Sequence, residues 1–143
     1  MRKMITLLLI ALVSAAFAMC TPKNDIPVES SWSVDKIFAD GNEISVPEGH
    51  SPYLAFLADK KISGETGCNR FFGDYAAKGK NLAFTNVGST RMMCPQMAFE
   101  NALMGAINKT AQYTLAGDTM ALKDKDGNII ALLKKIEPVS LEN

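Results

Sequence analysis

The sequence predicts a mainly β domain: a small antiparallel, barrel-like sheet of about eight or nine short strands, with one α-helix near residues 95–109. Three observations predict it. Short runs rich in aromatic and aliphatic residues recur along the chain, each bounded by a turn containing Gly, Asn or Asp. Several of these turns are short enough to join antiparallel neighbours. Only one segment repeats its apolar residues at helical spacing.

The strand signals begin at Trp32 and Val34, which alternate with polar neighbours. Asp40-Gly41-Asn42 turns the chain into residues 43–46. Residues 53–57 form a compact apolar run, and Ala58-Asp59-Lys60 returns it into residues 61–66. Residues 71–77 and 82–87 flank Lys78-Gly79-Lys80, a hairpin loop containing glycine. At the end, residues 112–115, 119–123 and 129–134 are separated by Gly117-Asp118 and Asp126-Gly127-Asn128, the pattern of an antiparallel meander.

The helix interrupts this series. Pro95 suits a first helical turn, where its missing N–H is not needed. Phe99, Ala102, Leu103, Ala106 and Ile107 then follow i, i+3, i+4, i+7, i+8 spacing and line one face. Gly105 costs that helix up to about 1 kcal/mol against alanine. A single helix among short strands is placed over an open end or face of the sheet.

The start of the chain reads as an export signal. Arg2 and Lys3 precede an apolar stretch over residues 5–18, with only Thr6 and Ser14 as polar members. That length fits a signal h-region and falls short of the roughly 18–20 residues a membrane span needs. Ala16-Phe17-Ala18 would allow cleavage before Met19 and plain secretion. Phe17-Ala18-Met19-Cys20 resembles the lipobox of bacterial lipoproteins, in which Cys20 is lipidated and becomes the new N-terminus. The reading adopted is residues 1–19 as signal peptide, 20–30 as lipidated Cys20 and a tether carrying Pro22 and Pro27, and 31–143 as the domain. It places the protein in the bacterial cell envelope, anchored at the outer membrane or periplasmic face, with a secreted or periplasmic soluble form as the alternative.

Charge and cysteines narrow the function. The chain carries 15 Lys+Arg and 15 Asp+Glu, and losing Arg2 and Lys3 with the signal tips this balance slightly acidic. Nothing electrostatic therefore favours nucleic acid as a partner. Three cysteines are an odd number for an exported protein. With Cys20 lipidated, Cys68 and Cys94 remain, and an oxidising compartment favours a disulfide between them. Two buried free thiols are the alternative.

Two stretches stand out. One is Ser63-Gly64-Glu65-Thr66-Gly67-Cys68-Asn69-Arg70-Phe71-Phe72-Gly73, the other Ser89-Thr90-Arg91-Met92-Met93-Cys94-Pro95. Together they resemble the META domain family, which includes the HslJ-type heat-shock-associated lipoproteins. The resemblance rests on Gly67, Cys68, Asn69, Arg70, Phe71 and Gly73, and on Thr90, Arg91, Met92, Met93 and Cys94. It covers residues 32–133 and includes the following helix and closing strands. It implies a compact β-rich barrel with one helix, an envelope location and a loose association with stress tolerance. It implies no catalytic residue.

Taken by themselves, these residues read as scaffold. Gly64, Gly67 and Gly73 suit turns, bulges or close backbone approach. Asn69 can bond local backbone and tolerate left-handed geometry. Alternation prevents Phe71 and Phe72 from both facing one core without a bulge. Arg70 and Arg91 have Glu65, Asp74 and Glu100 as possible partners, and the rival reading has them lining an anion site. Met92, Met93 and Met97 read first as core filler around Cys94. As soft ligands beside thiolates they could instead bind Cu(I). His50 is the sole histidine and reads as a solvated loop residue.

No Ser-His-Asp arrangement, Cys-x-x-Cys spacing or phosphate-binding glycine loop can be argued. The expectation is a non-enzymatic envelope lipoprotein module without cofactor or metal, binding a protein or small ligand. The alternative is a copper-binding or thiol-redox protein using the Met/Cys cluster.

Overall fold

The computed structural model describes residues 25–140. The segment read as an export signal, both expected cleavage positions and Cys20 lie outside the described residues.

Nine strands and one α-helix follow in the order β1 (Ser30–Ala39), β2 (Asn42–Ser45), β3 (Tyr53–Phe56), β4 (Lys61–Glu65), β5 (Arg70–Lys78), β6 (Asn81–Ser89), α1 (Met97–Lys109), β7 (Gln112–Ala116), β8 (Thr119–Lys123) and β9 (Ile129–Ile136). Every pairing is antiparallel. The sheet runs β1-β3-β4-β5-β6-β7-β8-β9 and closes through β1–β9, giving an eight-stranded barrel with β2 as the extra strand. This is the architecture the turn spacing predicts.

β1 can serve three partners because it is ten residues long. Its first half pairs with β3 and its second half with β2, while β9 runs along the opposite edge with a bulge between Val34 and Lys36. The seam between β6 and β7 is much thinner, with Asn81 opposite Gln112 as its one register pair. Two flanking backbone bonds extend it, Leu82 N–H to the Ala111 carbonyl and Tyr113 N–H to the Lys80 carbonyl. α1 packs beside β6 and β1. It sends Phe99, Leu103, Ala106 and Ile107 into the interior.

Alternation fills the rest of that interior. Trp32, Ile37, Leu54, Phe56, Ile62, Phe71, Leu82, Met120, Leu122 and Leu133 are essentially fully buried. The Trp32 indole N–H donates to Ser30 Oγ at 2.9 Å, so the largest core side chain leaves no polar atom unpaired. On β5, Phe71 and Tyr75 point inward while Arg70 and Phe72 point out. The bulge between Phe72 and Asp74 leaves that alternation intact.

Two details differ from the sequence reading. Pro95 stands in a turn before the helix, which starts at Met97 with Gln96 as its cap. The chain up to Cys94 is tied to a neighbouring loop, and a residue preceding proline disfavours helical geometry. Ile26 joins the core at 7% exposure, so packing reaches into the segment read as tether. Val139 N–H, beyond the last strand, donates to Ser31 Oγ at 3.0 Å.

Antiparallel order gives the barrel two distinct ends. The β1–β2 turn and the β2–β3, β4–β5, β6–α1 and β8–β9 connections gather at one end. The entering segment at residues 25–29 and the connections at 57–60, 79–80 and 117–118 gather at the other.

Candidate functional site

Both sequence motifs meet at the end away from the entering segment. The β4–β5 loop carries Thr66 to Asn69 and the β6–α1 loop carries Thr90 to Gln96. Cys68 and Cys94 are joined in a disulfide, with their Cα atoms 6.4 Å apart. Behind it lies Asn69, with no solvent exposure.

Asn69 uses all of its hydrogen-bonding capacity. Its Oδ1 accepts from Met92 N–H at 2.7 Å and from the Thr90 hydroxyl at 2.9 Å. Its Nδ2 donates to the Met92 carbonyl at 3.0 Å and to both Glu100 oxygens at 2.8 and 2.9 Å. One buried amide thus fastens the first motif to the second and to α1. The expected local or left-handed role is replaced by these bonds across more than twenty residues.

Glu100, by sequence a candidate partner for an arginine, is instead a member of this buried network, at 7% exposure. Thr66 Oγ1 lies 3.0 Å from its Oε2 and 3.1 Å from the Asn69 carbonyl, and accepts the Asn69 backbone N–H at 2.9 Å. Ion pairs among the described residues lie elsewhere. The carboxylate is held by neutral donors. A sequence signal did exist: Glu100, Leu103 and Ile107 share the inward helical stripe.

The arginines take no part in that network. Arg70 reaches Glu65, Nε to Oε1 at 3.2 Å, with its side chain 80% exposed. Asp74 is instead held by Asn86 at 2.8 Å and by Lys61, which keep its carboxyl below the usual range. Arg91 is exposed, and no polar partner is found for it among the described residues.

Glycine positions are dictated by contact. A Cβ at Gly64 would fall on the Phe71 ring and the Tyr53 carbonyl. Gly67 has φ +98°, and a Cβ there would stand 3.0 Å from His50 Nδ1. That ring nitrogen lies 3.0 Å from the Gly67 carbonyl, so His50 packs beneath the motif loop rather than standing free in solvent. At Gly73 a Cβ would meet the Thr85 carbonyl at 2.9 Å.

The methionines overturn the core-filler reading. Met92 is 59% and Met93 89% exposed, although both are large and apolar. Disulfide formation leaves neither cysteine as a thiolate ligand. Among the described residues, no cluster of His, Cys, Asp and Glu is arranged to hold a metal. Nearby, a groove between α1 and the β1–β2 hairpin is lined by Phe38, Ile44, Ala102, Gly105 and Ile130. Among the described residues, no helix is long and apolar enough to cross a membrane.

A closed eight-stranded barrel, carrying one helix and a disulfide-tied pair of motif loops, defines the structural class. Residues 25–137 match the META domain model, and the chain belongs to that family. No curated protein matches the sequence. A solution structure of a protein from Burkholderia xenovorans is 29% identical, with a TM-score of 0.64 over 76% of this chain and 82% of that one. A second NMR structure is 23% identical, with a TM-score of 0.57 over 77% of this chain and 91% of the other. A crystal structure of a duf4847 family protein from Bacteroides vulgatus ATCC 8482 is 15% identical, with a TM-score of 0.51 over 78% and 95%. The last two resemblances concern the fold alone.

Proposed function

We propose that this chain is a non-enzymatic, exported envelope lipoprotein module, anchored through lipid on Cys20, that binds a protein partner during stress. The observation that carries this reading is the division of labour between the barrel's ends. The chain enters the barrel at one end. At the other, buried polar side chains bind one another and the Met92 backbone, leaving Arg91, Met92 and Met93 outermost. Flexible thioethers beside a cation suit an adaptable protein-binding surface. A lipid at residue 20 would leave that surface facing away from the bilayer.

Site-specific photo-crosslinking in living cells tests it. A crosslinker replacing Met93 captures a partner during stress, whereas one replacing Asp118 at the opposite end does not. Absence of any adduct at Met93 in both resting and stressed cells would overturn the binding role. The anchor is tested separately: Cys20→Ala moves the domain to the soluble fraction, and an intact mass for an unmodified chain starting at Met19 would exclude lipidation.

A further inference from the structure

We propose that Met92 and Met93 form an oxidant-responsive modification site, at which hydroperoxides convert the thioethers to sulfoxides while the fold stays intact. This goes beyond the binding role and does not depend on it. Exposure ranks the five described methionines: Met93 at 89% and Met92 at 59%, then Met97 and Met104 half-buried, and Met120 at 0%. A hydroperoxide must reach the sulfur to react with it.

Exposure alone would make any surface methionine a target. The backbone beneath this pair distinguishes it. Met92 N–H and carbonyl are both held by the buried Asn69 amide, and Cys94 is tied to Cys68. The loop's shape therefore rests on backbone bonds and the disulfide, and on neither thioether. Both cysteines are already oxidised, which leaves the thioethers as the oxidisable sulfurs of this loop's outer surface. The sulfur lone pair attacks one peroxide oxygen, an S–O bond forms and the O–O bond breaks. The departing hydroxide takes up the remaining proton, so one thioether and one hydrogen peroxide give one sulfoxide and one water. Sulfur loses two electrons and the peroxide gains them. The product is a strong hydrogen-bond acceptor where an apolar group stood, and sulfoxide reductases can reverse it.

Hydrogen peroxide, applied to the purified full chain with its disulfide intact, is the probe. Trypsin cleavage after Arg91, Lys109 and Lys123 separates Met120 from the other four methionines, and fragmentation spectra resolve those four. Met92 and Met93 should oxidise about tenfold faster than Met104 and Met120. The thermal midpoint should hold after the fast phase. Met92→Leu/Met93→Leu should fold and lose the fast phase. Equal rates at all five sites, or a midpoint that falls in step with the first oxygen uptake, would overturn the proposal.

Discussion

The amide nitrogen of Asn69 sits astride the Glu100 carboxylate, 2.8 Å from one oxygen and 2.9 Å from the other, joining a strand-to-strand loop to a helix 31 residues away. The same nitrogen reaches the Met92 carbonyl at 3.0 Å, so three segments share one buried group. Removing it orphans several partners at once.

Asn69→Ala should therefore cost about 3–5 kcal/mol, since each orphaned buried group costs about 1–3 kcal/mol. Asn69→Asp should cost more, because it sets a second carboxylate against Glu100. Urea unfolding of both variants, with the disulfide intact, checks the order. An Asp variant as stable as wild type would show that Glu100 is not held as described.

Reduction of Cys68–Cys94 should cost about 3–4 kcal/mol by loop-entropy arithmetic. The bridged positions are 26 residues apart. The thermal midpoint should fall clearly on adding reductant, and Cys68→Ser/Cys94→Ser should show the same midpoint with or without it. Two thiols titratable in the native, unreduced chain would contradict the bond.

Arg70→Gln should change stability by less than about 1 kcal/mol, because its pair with Glu65 is exposed and screened. Arg91→Gln should leave the midpoint unchanged and weaken partner capture at Met93. A large midpoint loss for Arg70→Gln would mean that the pair is far less exposed in solution.

Glycine substitutions should go in opposite directions. Gly67→Ala combines positive φ with a close approach to His50 and should cost about 1–2 kcal/mol. At Gly105 nothing lies within 4 Å of an added Cβ, so Gly105→Ala should stabilise α1 by about 0.5–1 kcal/mol. Thermal melts of the two single variants measure both signs.

Alkaline pH should weaken the fold. Burial raises the phenols of Tyr53, Tyr75 and Tyr113 above their ordinary 10.0, with Glu65 adding to Tyr53 and Asp25 to Tyr113. Folding therefore favours the protonated phenols. Their contribution is complete below the unfolded value near 10 and is lost as pH rises through the folded values. Urea midpoints measured from pH 9 upward should fall as an ultraviolet titration shows the phenolates forming. A flat midpoint would sink the assignment.

Strands, hairpins and the helix were legible because alternation, turn residues and helical spacing are local signals. Trp32 and Val34 face inward as their alternation requires, and the inward face of α1 carries four of the five residues that spacing picked out. The Asn69–Glu100 contact was not legible, since it depends on how two distant segments meet. Composition also gave Met92 and Met93 the wrong side: apolar character favours burial but carries no direction in an irregular loop. Arg70 stands in a motif, yet its side chain is exposed and the buried bonds are made by its neighbour Asn69.

β1 leads directly from the entering segment and is bonded along both edges, to β3 and β2 on one and β9 on the other. Tension drawn through residue 25 would work first against the buried Ile26 and the turn at residues 28–29, where Glu29 has φ +60°, before it reached this strand. Under the proposed anchoring through Cys20, Ile26 would take that load first, at the end of the barrel away from Met92 and Met93.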